Sequence, residues 1–168
     1  MHLQTFVFRT AATLLVAGGI AACTTPGPTP PQQPVPGATP PPPRQALFIR
    51  PAAGTTVGRF DGVRNKGLDI AGNLGDPIVA SADGRVVYVG GELRSYGNMV
   101  IIKHNETFLT AYAHAQTILV KENAVVRQGQ KIAEMGKSET DRVKLHFEIR
   151  KNGTAVDPEP YLSGRLQQ

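Results

Sequence analysis

The apolar positions of this chain are spaced most regularly near its C-terminal end. In VKLHFEIR, residues 143–150, Val143, Leu145, Phe147 and Ile149 alternate with Lys144, His146, Glu148 and Arg150. Strict period two over that length predicts a strand with one face in a core and a polar face opposite. Similar runs precede it. PIVA and RVVYVG, within residues 76–91, read as strands joined across Ser81-Ala82-Asp83-Gly84, where Asp-Gly supplies a tight turn. NMVIIKHN (98–105) and TFLTAYAHA (107–115) read as a hairpin, which makes His104 a solvated turn residue. TILV and AVVRQGQKIAEMG follow, and Lys151-Asn152-Gly153 turns the chain toward VDPEPYL. No long run has a 3.6-residue period. Short strands at this spacing predict an all-β, antiparallel barrel or sandwich.

The first 45 residues follow neither pattern. Residues 11–22, AATLLVAGGIAA, are apolar but short for a membrane span, which takes about 20 residues. Arg9 before them and small residues after them describe a secretory signal over residues 1–22. It ends at Ile20-Ala21-Ala22-Cys23, which resembles a lipoprotein cleavage site. Cys23 is the only cysteine, so no disulfide can form within the chain. Lipid attachment to Cys23 accounts for both its place and its solitude. With Thr24 rather than aspartate next, resemblance to enterobacterial lipoproteins implies the outer membrane, facing the periplasm. Residues 24–44 hold ten of the 14 prolines and no charge before Arg44. Such a segment reads as an extended spacer reaching roughly 60 Å at about 3 Å per residue. The expected organisation is therefore a signal over 1–22, a lipidated Cys23 with linker to 45, and one folded domain over 46–168.

Charge narrows the partners. Loss of residues 1–22 removes one arginine and no acid, leaving 17 Lys and Arg against 13 Asp and Glu, a net charge of +4. An exported basic domain points to an acidic protein, anionic lipid or cell-wall polymer rather than nucleic acid. Among titratable side chains, Asp69 in NKGLDIAG, His114 in AYAHA and His146 in KLHFE stand close to glycine breaks or on alternating strands. Singly, each is more often a hydrogen-bonded structural residue than a ligand.

Together they carry a resemblance. Asn65-Lys66-Gly67-Leu68-Asp69, Asp83-Gly84-Arg85-Val86-Val87, Tyr112-Ala113-His114, Gly129-Gln130-Lys131-Ile132, Lys144-Leu145-His146-Phe147-Glu148 and Asp157-Pro158 with Tyr161-Leu162 follow one another in register. From residue 57 to 162 this resembles the LytM domain, the lysostaphin-like zinc endopeptidase fold. In active members zinc is held by the first His of His-x-Gly-x-Asp, by its Asp, and by the second His of His-x-His. The other His of that pair and the Tyr-x-His histidine act on the bound water. Carried over, Asp69 and His146 keep two ligand positions and His114 keeps one catalytic position. Asn65 and Lys144 replace the other two histidines. A neutral amide and an ammonium are poor company for a dication, so the resemblance implies a degenerate groove with no metal, no cofactor and no catalysis.

Within that family the chain resembles the non-catalytic NlpD type, in which Asn also opens the motif. The resemblance implies an activator of a periplasmic N-acetylmuramoyl-L-alanine amidase, acting when daughter cells split their peptidoglycan. Arg64, Lys66, Lys144 and Glu148 are the expected partner-binding residues. Peptidoglycan is a second candidate partner, and the lipid on Cys23 supplies the membrane contact. Members of that type usually carry a LysM wall-binding domain between anchor and LytM domain, where this chain has only the spacer. Two other readings stand beside this one: a metallopeptidase using Asp69, His146 and His114, and a passive binder of cell-wall peptides.

Overall fold

The computed structural model describes residues 47–166, so the predicted signal, Cys23 and the spacer lie outside the described residues. Two antiparallel sheets pack face to face. The larger begins with β1 (Thr56–Gly58) and β2 (Leu68–Ala71), while β3 (Pro77–Val79) belongs to the smaller one. β4 (Gly84–Gly90), β5 (Met99–Lys103) and β6 (Phe108–Ala113) return to the large sheet. β7 (Ala115–Ile118) and β9 (Lys131–Met135) join β3, and β8 (Val125–Val126) caps the edge of β4. β10 (Lys144–Lys151) and β11 (Thr154–Val156) close the large sheet, followed by the short helix α1 (Glu159–Leu162). The large sheet runs β1-β2-β10-β6-β5-β4-β8 with β11 beside β10, and the small one runs β3-β9-β7.

Alternation decides which side chains meet. Leu145, Phe147 and Ile149 of β10, Val100 and Ile102 of β5, and Tyr112 of β6 face Ile78, Ile132, Ala133 and Met135 of the small sheet in one core. Each such aliphatic or aromatic side chain contributes about 1.5–3 kcal/mol by leaving water. The predicted hairpin of β5 and β6 is present, with Val100 opposite Tyr112 and Lys103 opposite Leu109. So is the turn after β10, where Asn152 and Gly153 both have positive φ, at 50° and 80°. That pairing matches the twist of the flanking strands.

Two expectations are corrected. PIVA and RVVYVG are strands, but they do not form a hairpin: β3 pairs with β9 and β4 with β5 and β8. The polar groups of the connection are taken by other segments. Ile49 N–H donates to Ser81 O at 2.8 Å, and Ser81 N–H donates to the Tyr112 hydroxyl at 2.8 Å. The bend thus carries the chain from one sheet to the other. Gly84 is needed there for space rather than conformation, since a Cβ would lie 2.6 Å from both the Ile102 side chain and Lys103 O. His104, expected in solvent, is half-buried with its ring edge-on to Phe48 at 5.3 Å. Its Nδ1 meets Asp83 O at 2.6 Å and its Nε2 meets Thr110 Oγ1 at 2.8 Å, with Tyr112 2.9 Å further on. The turn histidine is instead a tie between the β3–β4 connection and β6, because its two ring nitrogens reach Asp83 O and Thr110 Oγ1.

Candidate functional site

The polar face of β10 is the floor of the site. Antiparallel pairing puts His146 opposite Asp69 of β2 and opposite Ala113 of β6, and puts Glu148 opposite Ala111. Gly67 allows β2 to approach so closely: a Cβ there would lie 2.1 Å from Phe147 O. The short turn before it is tied by Asn65, whose Oδ1 accepts the Gly67 N–H at 3.0 Å. Asp61 folds the preceding loop by accepting the N–H groups of Val63, Arg64 and Asn65 at 2.8–2.9 Å through one carboxylate oxygen. This loop lifts Arg64 into solvent and sends Lys66 Nζ back to Gly62 O at 2.7 Å.

The charged side chains form one continuous row. Lys144 Nζ donates to Asp69 Oδ2 at 3.0 Å, and His146 Nδ1 is 2.7 Å from Asp69 Oδ1. His146 Nε2 lies 3.2 Å from Glu148 Oε1, and Arg150 Nε donates to Glu148 Oε2 at 2.7 Å. The Tyr96 hydroxyl also donates to Glu148 Oε1, at 2.8 Å. Glu148 is fully buried, whereas Lys144, Asp69 and His146 keep 13–18% of their side-chain surface. Glu148 therefore serves the site by holding His146, Arg150 and Tyr96, and it offers no surface to a partner.

Protonation follows from this order. Burial opposes the Asp69 carboxylate, but hydrogen bonds from His146 and Lys144 outweigh it and hold the group down at about 2. Burial likewise disfavours a charged His146, yet Asp69 and Glu148 on its two nitrogens raise its pKa. Glu148 is lowered despite burial by His146, Arg150 and Tyr96. The row is an alternating string of cation and anion.

His114 stands across the cleft. It is the hinge between β6 and β7, at φ 65°, and only 4% exposed. Its Nδ1–H donates to Ser138 O at 2.7 Å, and burial lowers its pKa, so it is a neutral imidazole 6.1 Å from the His146 ring. Arg64, Asn65, Lys66, Asp69, His114, Lys144 and His146 thus line one cleft of about 290 Å³ with Ser95 and Tyr96. Below it the sheet face is apolar, with Met99, Ala111 and Ala113 packed against Tyr88, Tyr96 and Ile101. All the residues singled out in the sequence as a groove are brought together, Glu148 behind its surface. Tyr96 and Arg150 were missed. Arg150 could have been found as the next residue on the polar face of β10, but nothing in the loop RSYGN marks Tyr96.

The donor set does not fit the zinc that this fold holds in its active members. Both Asp69 oxygens are occupied from within the chain, and His146 Nδ1 is turned to Asp69. Asn65 spends its carbonyl oxygen on Gly67 N–H. An ammonium about 4 Å from a dication would be opposed by about 8 kcal/mol at an effective dielectric of 20. Catalytic zinc takes three protein ligands and a water, and no group of three such side chains is placed to hold an ion among the described residues.

Comparison with known proteins agrees with this geometry. The model of Peptidase family M23 matches residues 63–158. A protein named lipoprotein NlpD/LppB homolog from Pseudomonas aeruginosa is 58% identical over 117 residues, covering 68% of this chain and 39% of that protein. The murein hydrolase activator NlpD of Escherichia coli (strain K12) is 56% identical over 110 residues, covering 66% of this chain and 29% of that protein. The chain thus spans well under half the length of these relatives. Among solved structures, a zinc-containing peptidase from Vibrio cholerae superposes with a TM-score of 0.64 at 28% identity, over 74% of this chain and 41% of that one. The catalytic domain of lysostaphin from Staphylococcus simulans gives 0.57 at 27% identity, over 66% and 88%.

Proposed function

This chain belongs to peptidase family M23, and we propose that it has exchanged catalysis for activation: an envelope lipoprotein whose cleft engages a murein hydrolase and switches it on. The hydrolase is taken to be a periplasmic N-acetylmuramoyl-L-alanine amidase, and the anchor a lipid on Cys23 in the outer membrane. The observation that carries the reading is the self-neutralised row Lys144–Asp69–His146–Glu148–Arg150 in the place of the metal. It supports a groove that keeps its shape while lacking the means to polarise a peptide bond or ionise a water. The name of the Escherichia coli relative, a murein hydrolase activator, points the same way.

Activation is a population shift. The activator must bind the open hydrolase better than the closed one, by about 5.5 kcal/mol if the balance is to move from 1:99 to 99:1. The groups for that contact are the exposed Arg64 and Lys66 on the mouth and the part-exposed Lys144 on the floor. Charge reversal at Arg64 and Lys66 together tests this. Both side chains are exposed, so the melting temperature should stay within about 2 °C while release of label from dyed sacculi by the amidase is lost. Full activation by the Arg64→Glu, Lys66→Glu chain overturns the assignment of the cleft. Mass spectrometry of the mature N-terminus tests the anchor: diacylglyceryl on Cys23 is expected, and an unmodified cysteine refutes it.

A further inference from the structure

A second charged recess lies at the far end of β4 and β5, away from the cleft. Register places Arg85 directly opposite Lys103, and on its other side opposite Val125. Like charges facing each other across a ladder are destabilising, and Glu106 offsets only the Lys103 side of this pair. Arg127 joins them around a recess of about 390 Å³. An adjoining hollow of about 350 Å³ shares Arg85 and Lys103 and adds Val87. Two acids also border this region. Asp83 Oδ1 accepts the Gln128 N–H at 2.7 Å, and Glu106 pairs with Lys103 at 2.8 Å. Glu106 is 92% exposed on its side chain, and such an exposed pair contributes less than about 1 kcal/mol, so a ligand carboxylate can take its place. Arg127 has no side-chain hydrogen bond among the described residues, and Arg85 uses one nitrogen on Asn123 O at 2.8 Å. His104 is committed to Asp83 and Thr110 and adds no free donor. Beside the cations stand Val125 and Val87, 67% and 42% exposed.

We propose that this recess is a second binding site, for a peptide that carries free carboxylates among small apolar side chains, the chemistry of a murein stem peptide. Arginine offers a carboxylate two parallel N–H donors, and the valines suit methyl groups next to it. The two exposed valines beside the cations favour a ligand that alternates carboxylates with methyl groups over the uniform headgroups of an anionic lipid surface. The inference rests on the envelope location in the proposed function, but uses none of the residues of the cleft. It would hold the chain to the wall and leave the cleft free for the hydrolase.

The test uses a soluble chain starting at Thr24, which keeps every described residue and the core they form. Purified murein tetrapeptide with free carboxylates, the same peptide amidated, and phosphatidylglycerol vesicles are offered separately. The free peptide should bind, shifting the backbone signals of Arg85, Val125 and Arg127. Binding should fall about tenfold in Arg85→Gln, Arg127→Gln and on amidation, as loss of two screened charge contacts implies. Amidase activation in solution should be unchanged in that variant. Absence of binding to the free peptide, equal binding of the amidated one, equal binding by the variant, or binding to vesicles alone overturns the proposal. Failure of the unaltered chain to activate an amidase, with peptide binding intact, overturns the proposed function and leaves this site standing.

Discussion

Glu148→Gln is the sharpest probe of the row that fills the former metal place. The three atoms that approach this carboxylate, from Tyr96, His146 and Arg150, are all donors, at 2.8, 3.2 and 2.7 Å. A Gln of the same size has one acceptor oxygen and one donor nitrogen. The nitrogen must therefore face either Arg150 or the Tyr96–His146 pair. Facing Arg150 does least harm, because that side chain is 37% exposed and can turn to water. One charge-assisted bond is then lost, at about 1.5–3 kcal/mol, and the other two become ordinary. The expected cost is about 2–3 kcal/mol. In a domain of this size that lowers the melting temperature by about 10 °C. Glu148→Ala should cost more, about 3–5 kcal/mol, since it leaves two cationic partners without their buried anion.

Thermal melts give the first reading, and NMR titration of His146 gives the second. In the parent chain its pKa lies above the ordinary 6.5 because Asp69 and Glu148 oppose the burial penalty. In Glu148→Gln it should move down. A folded-state pKa above the unfolded one means that this stabilisation is complete below pH 6.5 and is lost as pH rises through the folded value. The variant's deficit relative to the parent should therefore shrink at high pH by the His146 share, while the share from the lost Arg150 bond stays. A melting temperature within about 3 °C of the parent at pH 6, with an unmoved His146 titration, would refute the account of the row.

Asp69→Asn should cost about 2 kcal/mol at neutral pH, because a carboxylate held at about 2 against an ordinary 3.8 stabilises the fold by that amount. In the parent chain this stabilisation is present above pH 3.8 and disappears as pH falls toward 2, which acid unfolding curves of the two proteins will show by converging. His104→Ala should cost about 2–4 kcal/mol through two lost hydrogen bonds and a gap against Phe48; a change under about 0.5 kcal/mol in urea would return it to a simple turn residue. Because burial lowers the His104 pKa, the parent should lose stability as pH falls below 6.5, and His104→Ala should lack that arm. Asn65→His with Lys144→His should bind zinc measurably tighter than the parent in a competition with a chelating dye, and equal affinities would show that the two substitutions are not what excludes the metal.

The strand pattern of this fold was legible because its burial is one-sided. Val143, Leu145, Phe147 and Ile149 declared both the strand and the face, and pairing with β2 and β6 then brought Asp69, His114 and His146 to one place. The bend at Ser81–Gly84 was not legible. Asp-Gly is a good turn locally, but whether two strands pair depends on where other backbone groups are satisfied, and here Ile49 and Tyr112 take the bonds. His104 was misread for a similar reason. Its sequence neighbours are polar, and its burial comes from Phe48, more than fifty residues away in the chain. Glu148 was legible as a member of the polar face, but its depth was not, because Tyr96 closes over it from a loop without a pattern.

Under the proposed function, the row also accounts for how a metal site could lose its metal and keep its form. In an active member of the fold the dication neutralises its carboxylate ligand and fixes the imidazole beside it. Removal of the ion alone would leave Asp69 charged and half-buried next to a histidine, a costly arrangement. Here Lys144 supplies a tethered cation 3.0 Å from the same carboxylate, and His146, whose pKa Asp69 and Glu148 raise, supplies another when protonated. Both cations come from the chain itself, so the groove needs no free ion to hold β2 against β10. In the proposed function, what is given up is the open coordination place through which a bound zinc would activate a water. Zinc must be bound from solution, whereas a covalent ammonium is always present. The walls of the cleft are thereby set before any partner arrives, which reduces the ordering that binding would otherwise require. That is a property the proposed activating surface would use.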